Sequence, residues 1–207
     1  LAAGAVGTVK LIERFVKRKI WAYVVIIIFL IPNFILVTPF AISILPVEDF
    51  IAFQNATGIK PSSGEIAEEG ILPQFFADRF GWEEMAQKTA EVYNMLSDEE
   101  KEKVLIFGQN YGQASAVNYY KEKYGLPRAI SSHNNYYLWG YPEDFNAEVM
   151  IVIGSNEEDN GEFFEEVILG ASHYNKYGKP DENVDIFICR KPKMPLEEIW
   201  KRIKNFI

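Results

Sequence analysis

Cysteine and histidine are scarce in this chain, which contains one cysteine, Cys189, and two histidines, His133 and His173. A single cysteine cannot form a disulfide within the chain, so packing must stabilise the fold. The two histidines do not stand at a metal-ligand spacing, and Cys189 lies inside an apolar run that predicts a strand. We therefore predict neither a metal site nor a cofactor.

Charged residues are absent from Ile20 to Val47, a stretch dominated by isoleucine, valine, leucine and phenylalanine. As a helix it would rise roughly 40 Å, enough to cross a hydrocarbon core of about 30 Å. The alternatives are a cleaved signal peptide, whose apolar region is usually shorter, and a buried core helix, which seldom lacks charge for so long. We predict a transmembrane helix over residues 20–47, kinked at Pro32 and Pro39.

Charge is distributed unevenly on the two sides of this stretch. Residues 1–19 carry five basic residues and one acidic residue, a balance of +4, and the remainder carries 16 basic and 28 acidic residues, a balance of −12. The positive-inside rule then places the N-terminal flank in the cytoplasm and the C-terminal part outside the cell membrane. The acidic remainder argues against nucleic acid as a partner.

Three domains are predicted on this basis. Residues 1–19 form a cytoplasmic or interfacial leader, which we interpret as the end of a truncated membrane region because the chain begins at Leu1. Residues 20–47 form the membrane span, in contact with lipid. Residues 48–207 form an extracytoplasmic soluble domain of a size that can bury its own core.

Strands and helices alternate in the predicted soluble domain. Short apolar runs predict three strands, at Val104–Gly108, Glu148–Gly154 and Val184–Arg190. Helical patterns lie near Glu48–Thr57, Trp82–Leu96, Gln113–Tyr124 and Gly161–Leu169, and after Pro195. Near-continuous apolar strands that alternate with helices are typical of a parallel sheet covered on both faces. The predicted fold class is α/β, a small Rossmann-like three-layer sandwich with a mainly parallel sheet.

The turn after the first strand reads GQNYGQASA, from Gly108 to Ala116. Its candidate binding residues are Gln109, Asn110, Tyr111 and Gly112. Free backbone N–H groups at a strand-to-helix junction can hold a phosphate or a carboxylate. The turn is neither a dinucleotide fingerprint nor a P-loop, so its glycines can equally serve turn geometry alone.

A second polar and aromatic segment is SSHNNYYLWG, from Ser131 to Gly140. Its candidate binding residues are His133, Asn134, Asn135, Tyr136 and Trp139. Amide groups beside flat apolar rings suit the hydroxyls and CH faces of a sugar. The alternative is that the rings pack beneath a loop and the amides cap turns.

Four segments carry a family resemblance, namely ILPQFFADRFGWEEM, GQNYGQASAV, YGLPRAISSHNNYYLWG and VDIFICRKPKMPLEEIW. In this order they resemble the C-terminal region of glycosyltransferase family 39, which is similar to the dolichyl-phosphate-mannose-protein mannosyltransferases. The resemblance implies a multi-pass membrane enzyme that transfers a sugar from a polyprenyl-phosphate donor. The family's catalytic acidic residues lie in an early loop with no counterpart here, so we assign no catalytic residue.

The leading hypothesis is therefore a membrane-anchored soluble domain of a glycosyltransferase that uses a lipid-linked sugar. The domain would help to bind or position a polyprenyl-phosphate sugar or a glycan acceptor, together with the upstream transmembrane part of the same protein. The fragment itself is expected to be inactive. The alternative is a structural or partner-binding domain with no ligand of its own, and a third hypothesis is nucleotide binding at Gly108–Gly112.

Overall fold

The computed structural model describes residues 2–15, 19–59, 70–142 and 147–206. The chain divides into two units, a helical unit Leu1–Ile59 and an α/β unit Lys60–Ile207. The basic residues Lys17 and Arg18, used above to orient the span, lie outside the described residues.

Among its described residues the helical unit has three helices, α1 (Ala2–Phe15), α2 (Lys19–Ala41) and α3 (Val47–Thr57). Within α2, Tyr23–Ala41 is long and apolar enough to cross a membrane, and only 6% of its apolar window is buried. By length and composition α2 is thus a candidate membrane span, the one candidate among the described residues, and its low burial argues against a buried core helix.

The apolar helix is shorter than the uncharged stretch of the sequence. It ends at Ala41, and the amide of Ile44 donates to the carbonyl of Ile42 at 2.7 Å, a tight turn that does not continue a helix. Pro46 then has extended backbone angles and precedes α3. The helix predicted near Glu48–Thr57 is confirmed as α3, which ends at Thr57 and is followed by the left-handed Gly58 as its C-cap.

The α/β unit has five strands and seven α-helices among its described residues. The strands are β1 (Val104–Gly108), β2 (Ala129–Ile130), β3 (Val149–Ile153), β4 (Phe164–Ser172) and β5 (Asp185–Pro192). The helices are α4 (Gln74–Ala77), α5 (Trp82–Tyr93), α6 (Asp98–Lys101), α7 (Tyr111–Tyr124), α8 (Asn135–Leu138), α9 (Glu157–Phe163) and α10 (Leu196–Arg202). A 3-10 helix spans Pro180–Glu182.

The strands form one mixed sheet in the order β2-β1-β3-β5-β4. The pairs β1–β2 and β1–β3 are parallel, whereas β5 is antiparallel to both β3 and β4. Four strands therefore run in one direction and β5 runs in the other. The three predicted strands are confirmed as β1, β3 and β5, and the predicted mainly parallel sheet is confirmed as mostly parallel, with β5 as the strand that runs against the others.

The helix predicted near Gly161–Leu169 is also wrong over most of its length. Helix α9 ends at Phe163, and strand β4 begins at Phe164 and pairs with β5 along the sheet edge. The β-branched Val167 and Ile168 favour this strand, and β4 and β5 are joined by residues 173–184 as a hairpin. Strands joined as a hairpin are antiparallel and need no crossover helix. The direction of β5 was not predicted because a helix was predicted where the structure has β4.

The sheet is covered on both faces because every residue of β1 and β3 is buried. Val104 and Ile106 pack in a cluster with residues of α5 and α7. Leu105 and Phe107 pack in a second cluster with Ile199 and Trp200 of α10. Helices thus lie on both sides of the sheet, with α5 and α7 on one face and α10 on the other.

Two glycines fix the edge of the sheet where β1 and β3 end. A Cβ at Gly108 would lie 2.7 Å from the backbone nitrogen of Ala114, so only glycine lets the first turn of α7 pack against β1. Gly154 follows β3 with φ +83°, a left-handed conformation, and a Cβ there would meet the buried Gln113 amide at 2.6 Å. Both glycines therefore serve geometry.

We expect Gly108→Ala to lower the free energy of unfolding by about 2 kcal/mol because the new methyl group overpacks a backbone contact. The matched control is Gly161→Ala within α9, where a Cβ meets nothing within 4 Å. That control should be stabilised by about 0.5 kcal/mol through helix propensity. Urea unfolding of the full chain in lipid nanodiscs measures both, and equal stability of the two variants would contradict this packing.

Candidate functional site

A cleft of about 750 Å³ lies where the chain leaves β1 and β3 and enters β5. The amide of Gln109 donates to the carbonyl of Ile153, and the amide of Gly154 donates to the carbonyl of Asp185, both at 3.0 Å. The lining of the cleft is rich in amides and carboxylates. It includes Gln109, Asn110, Gln113, His133, Asn156, Asp159, Lys179, Asp181, Glu182, Asp185 and Asn205. We call this the polar cleft.

A second cleft of about 620 Å³ adjoins the first, because Asn110, His133, Lys179 and Glu182 line both. It adds the aromatic rings of Trp82 and Tyr111, together with Gln74, Asp78, Gly112 and Asn134. We call this the aromatic cleft. The two together place flat rings beside hydrogen-bonding groups.

The first turn of α7 is joined to the 3-10 helix through Glu182. Asn110 caps α7 by accepting from the Gln113 amide at 2.9 Å, and the Gln113 side chain accepts from the Asn110 amide at 3.4 Å. The two side-chain amides then donate to different oxygens of Glu182, Asn110 Nδ2 at 3.0 Å and Gln113 Nε2 at 3.1 Å. Both clefts are built around this link.

Burial raises the pKa of the Glu182 carboxyl above its ordinary value of 4.5, although the hydrogen bonds from Gln113 and Asn110 act in the opposite direction. Desolvation disfavours the charged form of a carboxyl group, whereas donors to the carboxylate favour it. Glu182 is therefore held in place by two donors in surroundings that still penalise its charge.

His133 stands between the two clefts. Its ring lies 5.0 Å from the Tyr111 ring, and its Nε2 lies 3.1 Å from the side-chain nitrogen of Asn134. Its Nδ1 is buried without a hydrogen-bond partner among the described residues. Burial lowers the pKa of His133 below its ordinary value of 6.5, because desolvation disfavours the charged imidazolium.

The backbone around His133 is held by the C-terminal end of the chain. Asn134 has a left-handed φ of 51°, and its amide donates to the carbonyl of Asn205 at 2.8 Å. The amide of Asn205 in turn donates to the carbonyl of Ser132 at 3.2 Å. With ψ at −133°, the Asn134 backbone is not in the left-handed helical conformation that asparagine often adopts, and the two hydrogen bonds with Asn205 hold the backbone beside His133.

Six of the nine candidate residues line the two clefts. Gln109, Asn110 and His133 line the polar cleft. Asn110, Tyr111, Gly112, His133 and Asn134 line the aromatic cleft. A Cβ at Gly112 would lie 2.9 Å from the Trp82 ring, so this glycine lets the ring approach α7.

Asn135, Tyr136 and Trp139 line neither cleft. Asn135 is exposed at the start of α8, and the Tyr136 and Trp139 rings lie 4.4 Å apart. The Tyr136 hydroxyl lies 2.8 Å from the Ser115 hydroxyl of α7, so this pair stands beside that helix. The neighbouring Tyr137 stacks on Trp200 at 5.3 Å, as the packing alternative expected.

The 3-10 segment contributes residues that the motifs of the sequence did not indicate. The polar cleft is lined by three residues shortly before β5 and by the first residue of β5, namely Lys179, Asp181, Glu182 and Asp185. A run of proline, acidic residues and asparagine before a strand, KPDENVD, was the available signal. It was missed because a parallel β5 would begin at the opposite edge of the sheet.

The polar cleft carries more acidic than basic side chains. Its lining has four acidic side chains and one basic side chain, a formal charge of −3. The acidic residues are Asp159, Asp181, Glu182 and Asp185, and the basic residue is Lys179. Among the residues that the structure describes, no group of three or more histidine, cysteine or acidic side chains is arranged to hold a metal ion. The negative charge of its lining makes the polar cleft electrostatically unsuited to an anion.

Comparison with protein-family models, curated proteins and solved structures finds no match for this chain. The geometry of the clefts and the sequence motifs are consequently the basis for a functional proposal.

The raised pKa of the Glu182 carboxyl predicts how the free energy of unfolding depends on pH. Since the native protein holds the Glu182 proton more tightly than the unfolded chain, its contribution favours folding most below the unfolded pKa near 4.5. That contribution is lost as pH rises through the higher native pKa. The stability of the wild-type chain relative to Glu182→Gln should therefore fall with rising pH over this window.

Urea unfolding from about pH 4 to about pH 8 measures this difference. Glu122→Gln is the matched control because the Glu122 side chain is 89% exposed, and its difference from wild type should stay nearly constant. A rise of wild-type stability relative to Glu182→Gln with increasing pH would contradict the buried carboxyl.

Proposed function

We propose that the α/β unit binds a neutral carbohydrate, the acceptor of a glycosyl transfer, at the outer surface of a cell membrane. The observation that supports this most directly is the pairing of two clefts, one lined by amides and carboxylates and one by the rings of Trp82 and Tyr111. Sugars need hydrogen-bonding groups for their hydroxyls and flat apolar surfaces for their CH faces.

The charge of the polar cleft supports a neutral ligand over an anionic one. A phosphate at the start of α7 would need free N–H groups and positive potential. The side chain of Asn110 already caps the Gln113 amide there, and the Glu182 carboxylate already accepts from both side chains. These contacts disfavour the nucleotide hypothesis and favour the glycan acceptor over the phosphate of a lipid-linked donor.

The membrane setting of this proposal depends on α2. An apolar helix preceded by a basic flank supports an N-terminal side in the cytoplasm and an α/β unit outside the cell. Lipid-linked sugars with polyprenyl-phosphate carriers are substrates suited to that location. We further propose that the sheet is a Rossmann-like variant in which β5 is reversed.

The resemblance to the C-terminal region of glycosyltransferase family 39 supports a role in glycosyl transfer from the sequence side, whereas the choice of a neutral glycan rests on the clefts. Two of its four segments, GQNYGQASAV and YGLPRAISSHNNYYLWG, supply Asn110, Tyr111, His133 and Asn134 to the clefts. In this proposal the chain positions the acceptor for a membrane-embedded catalytic part of the same protein. A structural or partner-binding domain remains the alternative if no sugar binds.

Tyr111→Ala is expected to weaken the binding of neutral sugars about tenfold, because it removes a half-exposed ring from the aromatic cleft. Tyr111→Phe keeps the ring and should bind nearly as the wild type does. Saturation-transfer NMR and calorimetry with the full chain in nanodiscs, and with a panel of neutral hexoses and their oligomers, measure both effects.

The matched control for this experiment is Tyr174→Ala, which removes a tyrosine that is 73% exposed and lines neither cleft. It should leave binding unchanged. Sugar phosphates should bind more weakly than the parent sugars. Absence of binding by every neutral sugar, or preferential binding of the phosphates, would contradict the proposal.

The orientation can be tested by labelling single cysteines in intact cells. Burial raises the pKa of the Cys189 thiol to about 12, so the native cysteine should not react with a maleimide. Glu122→Cys should be labelled by a membrane-impermeant maleimide in intact cells, and Lys10→Cys only after permeabilisation. The reverse pattern would place the α/β unit in the cytoplasm.

A further inference from the structure

A third groove of about 360 Å³ continues from the aromatic cleft along α7. It shares Trp82, Tyr111 and Gly112 with that cleft, and it extends to Tyr119. Tyr111, Ser115 and Tyr119 are spaced by four residues, so they follow one face of the helix. Tyr111 and Tyr119 are separated by about 12 Å along the helix axis, because each helical residue adds a rise of about 1.5 Å.

Two of the four aromatic rings that line this groove are exposed to solvent. Tyr119 is 80% exposed and Tyr111 is 50% exposed. The Tyr119 ring has an edge contact with Tyr120 at 4.8 Å, and neither residue belongs to the packed core clusters. A role in the core therefore does not account for Tyr119.

The lining of the groove distinguishes between possible occupants. It consists of tryptophan, tyrosine, glycine, serine and alanine, without a charged side chain and without leucine, isoleucine or valine. A groove for a lipid chain would be expected to present aliphatic side chains, and a groove for an acidic or basic peptide would present an opposite charge. Hydroxyl-bearing rings are amphipathic and suit a sugar, whose faces are apolar and whose edges are polar.

We propose that the ligand of the clefts is an oligosaccharide, and that its distal sugar residues lie along α7 on Tyr111 and Tyr119. This inference rests on the proposed function, since it names the length and the path of the glycan that the clefts bind. The pair of Tyr136 and Trp139 stands beside this path, because the Tyr136 hydroxyl contacts Ser115 in the groove.

The experiment compares linear neutral oligosaccharides of increasing length, from monosaccharide to hexasaccharide, in glucose and mannose series. Calorimetry with the full chain in nanodiscs should show affinity that rises with length in at least one series. Tyr119→Ala should remove most of that rise, about tenfold for the longest oligomer, and leave the monosaccharide unaffected. Tyr119→Phe and Tyr174→Ala should both keep the rise.

The outcomes separate this inference from the proposed function. Binding of monosaccharides with no gain from longer oligomers would overturn the extended site and leave the clefts as a sugar site. The extended site would also be overturned if Tyr119→Ala bound long oligomers as tightly as the wild type does. If no sugar of any length binds, the proposed function fails together with the extended site.

Discussion

The pair of hydrogen bonds from Asn110 and Gln113 to Glu182 is the contact on which the candidate site depends. It joins residues about seventy positions apart in sequence, at 3.0 and 3.1 Å. Without it, the side-chain NH2 groups of Asn110 and Gln113 would lose this acceptor, and the 3-10 helix would lose its link to the start of α7. Its donors are themselves ordered, because Asn110 and Gln113 form a capping box. The network is therefore fully paired at its centre, which is the condition under which buried polar groups specify one arrangement.

That same link determines which ligands the clefts suit. A carboxylate placed at the start of a helix takes the position that an exogenous anion would otherwise favour. Three further carboxylates in the lining of the polar cleft add to this effect, with Lys179 as the opposing charge. Neutral groups with many hydroxyls avoid the repulsion and can still use the carboxylates and amides as hydrogen-bond partners. The rings of Trp82 and Tyr111 then contribute the apolar contact that the polar cleft lacks.

Local sequence patterns predicted the elements of the fold well, and they failed where distant pairing decided the structure. The apolar runs of β1, β3 and β5 and the helical spacing of α5 and α7 are local signals, and all five elements lie close to their predicted bounds. The direction of β5 is not a local property, because it follows from the hairpin with β4. Since that direction decides which sheet edge the 3-10 helix approaches, Glu182 could not be placed beside Asn110 from the sequence. The motifs on α7 and around His133 were found because their residue types are unusual, whereas Glu182 stands among many other acidic residues.

Both clefts are open to solvent, and this limits how tightly they can bind a ligand. An open cleft buries less of its ligand than the enclosed pockets that hold small molecules tightly, so weak affinity is expected. Weak binding suffices when site and ligand are held at the same surface, since tethering by a short flexible linker gives effective concentrations in the millimolar range. A domain attached to a membrane helix that positions a glycan for a membrane-embedded enzyme would work in this regime. Extension of the site along α7 would then add selectivity for longer acceptors, because each further ring contributes a modest contact that only a longer glycan can use.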